Sequence, residues 1–98
     1  MAILDPAKAL IELKEKTMND IERATATTWG GRALASFKLV AEQASLMEKF
    51  RHFYEAENYR QEALEHASMT EDRGALLVQI HDEIEEERQK ALKLLKGE

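Results

Sequence analysis

The sequence predicts an all-α protein: a three-helix antiparallel arrangement with a long central helix, elongated and completed as a helical bundle by dimerisation. Two observations predict it. The 98 residues contain one Pro and four Gly, and 34% are charged, above the roughly 25% of an ordinary globular domain. Ala, Leu, Glu, Lys, Arg, Gln and Met dominate, which are the strong helix formers. Apolar residues also recur three and four positions apart over long stretches, the period of a helix with one buried face. The length suits a single domain, 1–98, with no internal repeat, linker or low-complexity segment.

The first helix is expected over residues 5–28. Asp5 can cap free amides and Pro6 suits the first helical position. Leu4, Ala7, Leu10, Ile11, Met18 and Ile21 share one arc, with Lys14 set inside it. Trp29, Gly30 and Gly31 then form a hinge, because two successive glycines are poor helix formers and good terminators.

The second helix is expected over residues 32–67, uninterrupted by proline, and about 54 Å long at 1.5 Å per residue. Its apolar arc carries Phe37, Leu39, Val40, Leu46, Met47, Phe50, Phe53, Tyr54 and Leu64. Ser68 and Glu71, three apart, match a capping box, with Thr70 the other candidate cap. The third helix follows over residues 71–96, and Lys90, Lys93 and Lys96 near its end suit the helix dipole. Two flanking helices shorter than the central one leave apolar grooves at both ends of it. A second copy is the simplest way to fill them, with Met47, Phe50, Phe53 and Tyr54 at the interface.

Several functional classes are disfavoured. The chain has no cysteine and a net charge of −5. Thiol chemistry and Cys-ligated metals are therefore excluded, and nucleic acid, which attracts basic surfaces, is not expected as a partner. No basic leader followed by an apolar run opens the chain, and no stretch approaches the ~18 apolar residues of a membrane span. A cytoplasmic protein that contacts no membrane is expected. No phosphate-binding glycine loop or nucleophile elbow is present, so neither an enzyme nor a bound cofactor is expected.

One constellation points elsewhere. Glu48, His52, Glu55, Tyr59, Glu62 and His66 alternate at steps of four and three, which lines them along one helical face. Carboxylate and imidazole together ligate iron, zinc or manganese. Glu48, His52, Glu55, Glu62 and His66 are thus the candidate ligands if this is a ferritin-like metal-binding bundle. The Glu–His spacing is four, whereas such bundles use Glu-x-x-His. The run "LEHASMT" at residues 64–70 resembles a helix of the encapsulated ferritins. The acidic run "HDEIEEERQ" at residues 81–89 keeps the helical period at Ile84 and reads as the outer face of the third helix.

A short, acidic, cysteine-free helical chain with Trp29-Gly30-Gly31 at an interhelical turn also resembles the WXG100 family. That resemblance implies a helical hairpin that dimerises into a four-helix bundle and leaves by a type VII secretion system. No Tyr follows Tyr59 to supply the family's C-terminal export motif. The reading favoured by the residues themselves is a non-enzymatic interaction or assembly module. It would act as a structural, adaptor or chaperone-like subunit whose partner is itself or another helical protein.

Overall fold

The computed structural model describes residues 5–97. It contains three helices: α1 (Pro6–Val40), α2 (Leu46–Ser68) and α3 (Ala75–Leu95). The all-α, three-helix, elongated architecture is as expected, but the longest helix is the first and not the central one. The expected boundaries at 28/32 and 67/71 give way to breaks at residues 41–45 and 69–74.

Helix α1 starts where expected. The Asp5 carboxylate accepts from the Ala7 N–H at 3.0 Å, and Pro6 opens the helix. It then runs 35 residues, straight through Trp29-Gly30-Gly31. The proposed hinge is therefore helix interior, and the interhelical Trp-x-Gly turn on which the WXG100 resemblance rests is absent here. Packing explains why glycine is tolerated. A Cβ on Gly30 would lie 3.4 Å from Ile80 Cγ2 of α3 and 4.0 Å from Ala63 Cβ of α2. Gly30 thus sits where all three helices converge. Ala26 and Ala33 of α1 and Ala56, Ala63 and Ala67 of α2 are fully buried. Small side chains on both partners let the two backbones approach closely. That burial offsets the ~1 kcal/mol that a mid-helix glycine costs relative to alanine.

Gly31 has no such neighbour: a Cβ there would meet nothing within 4 Å. Gly31→Ala should therefore stabilise the fold by about 0.5–1 kcal/mol, through propensity and a less flexible unfolded chain. A rise in the urea midpoint with an unchanged slope is the expected result. A fall would mean that residue 31 is not helical.

The real break follows Val40. Ser45 has extended backbone and its hydroxyl accepts from the Glu48 N–H at 3.1 Å, capping α2. The segment Ser45-Leu-Met-Glu48 has the same capping pattern that Ser68 and Glu71 share. Ser68 and Glu71 do not open a helix. Ser68 is the last residue of α2, and α3 begins at Ala75, after Arg73 and Gly74 turn the chain at φ 58° and 85°. Asp72 assists that start by accepting from the Leu76 N–H at 3.0 Å. Burial opposes ionisation of the Asp72 carboxyl. Hydrogen bonds from the Thr70 hydroxyl, the Leu76 N–H and the Arg23 guanidinium outweigh it and hold the group below its usual range.

The antiparallel α1–α2 pair is the tight unit, and α3 lies along one side of it. Phe37 and Phe53 meet edge-on at 5.4 Å between ring centres. Val40, Phe37 and Ile84 are the largest fully buried side chains. The Arg88 guanidinium donates to Glu57 across the α2–α3 seam and also reaches Glu85 at 3.4 Å. Arg88, within the acidic run, thus ties α3 to α2, while Glu85 pairs with it inside α3. At the other end, Arg23 meets Asp72 at 2.7 Å and the Glu71 N–H donates to Asn19 at 2.9 Å. The three-helix region therefore ends level with residue 19 of α1. Residues 5–18 project beyond it, so the molecule measures 69 × 18 × 14 Å. Its radius of gyration is 18.4 Å, against about 13 Å for a compact chain of this length.

Candidate interaction surface

The projecting arm of α1 is a single helix whose base alone, at Glu15 and Met18, borders the α2–α3 turn, and every residue from 5 to 18 is exposed. It nevertheless carries large apolar groups: Leu10, Ile11, Leu13, Met18 and, at its base, Ile21 are 56–66% exposed. Most of them form a stripe with Ala7. At 100° per residue this stripe lies roughly 100° around α1 from the Ala26, Ala33, Phe37 and Val40 face that meets the other helices. The arm therefore does not simply extend the core. It offers a separate apolar face on the side of α1 away from α3.

Further along that side lie Trp29 and Tyr59, 5.5 Å apart between ring centres, with the Arg32 guanidinium 4.9 Å above the indole. Ala24, Thr25, Thr28, Trp29 and Arg32 line a shallow cleft there. A second cleft marks the end of the three-helix region, where Met18 and Met69 are flanked by Glu15, Glu22 and Glu71.

The Glu/His stripe of α2 lies on this side as well, but its members are divided among structural contacts. The Tyr59 hydroxyl donates to Glu55 at 2.7 Å, and this carboxylate, with burial, raises the phenol's pKa. His66 Nδ1 lies 2.6 Å from Glu22 of α1, and its Nε2 is 3.8 Å from Glu62. His52 is half-buried and Glu48 lies at the α2 N-terminus. Among the described residues, no group of three or more His, Asp or Glu is arranged to hold a metal ion. His81, in the acidic run, pairs with Asp82 at 3.2 Å and is 3.9 Å from Glu85. Glu85 is held below its usual pKa, first by the hydrogen bond from Gln89 and then, against burial, by Arg88, His81 and Arg60.

Of the four residues expected at an interface, Met47, Phe50 and Tyr54 are 81, 50 and 73% exposed. With Leu46 they make an apolar patch on the outer face of α2. Phe53 is instead packed into the core against Phe37. The arm itself is the feature that sequence reasoning missed. Its signal was present in the Leu10, Met18 and Ile21 stripe, but a helix ending at residue 28 gave that stripe a core to face. No helix among the described residues is long and apolar enough to cross a membrane. No protein-family model, curated protein or solved structure matches this chain.

Proposed function

We propose that this chain is a non-enzymatic helical interaction module, a structural, adaptor or chaperone-like subunit that associates with a second copy of itself. The observation that carries this reading is the arm: a helix of about three and a half turns whose Leu10, Ile11, Met18 and Ile21 stay in water in the isolated chain. Contiguous apolar surface on that scale marks a contact site more often than idle surface. An isolated helix of this length is also marginal in water, so a partner that covers the stripe stabilises the helix as well.

Size-exclusion chromatography with light scattering across a concentration series tests this. The expected mass is twice the chain's 11.2 kDa, falling toward one chain on dilution. A single-chain mass at every concentration up to the millimolar range contradicts it.

A further inference from the structure

We infer that two copies join antiparallel about a two-fold axis level with Met18, so that the arm of each becomes a fourth helix on the three-helix region of the other. The inference rests on the self-association proposed above and specifies its geometry.

Sterics set the register. Contacts of Asn19 and Arg23 with the α2–α3 turn place the end of the three-helix region level with residue 19. If the axis moved further along α1, the two turns would occupy the same space. If it moved back to residue 14, the two arms would cover only each other, the cleft at Trp29 would stay open, and the two Lys14 side chains would face one another. At Met18, residue i of one α1 lies beside residue 36−i of the other, as the antiparallel symmetry of an isologous interface requires. Ile11 then meets Thr25, and Ala7 meets Trp29, both in the shallow cleft on the side away from α3. The Met18 side chains meet each other beside the Met69 cleft.

Charge agrees with the same register. Lys14 lies inside the apolar stripe, and the residues three and four positions away on its own helix are Leu10, Ile11, Thr17 and Met18, none acidic. Within one copy this ammonium interrupts an otherwise apolar face. In the pair it is brought beside Glu22 of the other copy, whose carboxylate also meets His66 of its own chain at 2.6 Å, in a cleft where Glu15 and Glu71 add further negative charge. An isolated lysine in an apolar stripe weakens non-specific packing and favours the one register that gives it an acid.

The chain has no native cysteine, so single introduced cysteines report the register cleanly. Under mild oxidation with diamide, Met18→Cys should form a covalent dimer at least tenfold faster than Leu13→Cys, which sits on the same arm but far around the helix. Lys14→Glu should weaken association at least tenfold while Lys14→Arg leaves it within about twofold, with circular dichroism confirming that each variant is folded. Light scattering separates the two levels of the argument. A chain that stays monomeric overturns both the self-association and this geometry. A dimer in which Met18→Cys and Leu13→Cys couple at equal rates, or in which Lys14→Glu associates as tightly as the parent, overturns the geometry alone.

Discussion

Replacing Phe37 with alanine is expected to destabilise the protein by about 3–5 kcal/mol, the usual range for truncating a buried aromatic side chain. Phe37 is 2% exposed and makes the edge-on contact with Phe53 that joins α1 to α2 near their shared turn. Its removal leaves a cavity that neighbouring small residues cannot fill, because Ala33 and Ala56 are already fully buried. In a domain of this size each kcal/mol moves the melting temperature by roughly 4–8 °C. A fall of about 15–30 °C in a thermal scan followed by circular dichroism is therefore predicted. A shift of a few degrees would show that Phe37 is not at the core of the helical pair.

The second large effect is on assembly and leaves the fold alone. Leu10→Glu with Ile21→Glu places two carboxylates on the arm's apolar stripe. Both positions are more than half exposed, so the three-helix region of a single copy loses little. In the associated state each glutamate would be driven into an apolar contact without a partner, and desolvating an unpaired charge costs several kcal/mol. The double variant should sediment as a single chain at concentrations where the parent is associated. Its thermal transition should differ from that of the parent only by the stabilisation that association supplies. If it remains associated, the arm is not the contact surface, and the Leu46, Met47, Phe50 and Tyr54 patch on α2 takes its place as the candidate.

The all-helical class and the start of α1 were legible because they rest on local chemistry. Composition, apolar period and the Asp5-Pro6 cap act over a few residues and do not depend on what packs against them. The course of α1 through Gly30-Gly31 was not legible in that way. Two glycines favour a break when propensity is considered alone. The structure overrides this with close packing at Gly30 against Ala63 and Ile80. The sequence does hold a non-local trace of it: Ala26, Gly30 and Ala33 on one helix and Ala56, Ala63 and Ala67 on the next are small residues at helical spacing. Reading them as a contact requires knowing that the two segments are paired.

The displaced α1–α2 turn has the same physical origin. A hinge at Trp29-Gly30-Gly31 leaves the Ser45 and Glu48 cap inside one continuous expected helix. The Ser68 and Glu71 pair, with the same capping-box spacing, then predicts the start of α3. In the structure Ser45 caps and Ser68 does not, because left-handed backbone at Arg73 and Gly74 delays α3 to Ala75. The candidate site inherited these shifts. Phe53 went to the core, and Met47, Phe50 and Tyr54 to the outer face of α2. The arm's stripe, which periodicity alone assigns to a neighbouring helix, has none in the single chain.

The arm exists only if α1 is one unbroken helix that does not reverse at Gly30-Gly31. A distance between spin labels at Lys8→Cys and Lys38→Cys, measured by double electron–electron resonance, tests this most directly. The labelled chain would be diluted in unlabelled protein so that only pairs within one copy contribute. Thirty residues of continuous helix separate the labels by about 45 Å at 1.5 Å per residue, and a single distribution centred there is predicted. A distribution near 25 Å, the separation expected for a hairpin folded at Gly30-Gly31, would contradict the arm and the interaction surface built on it.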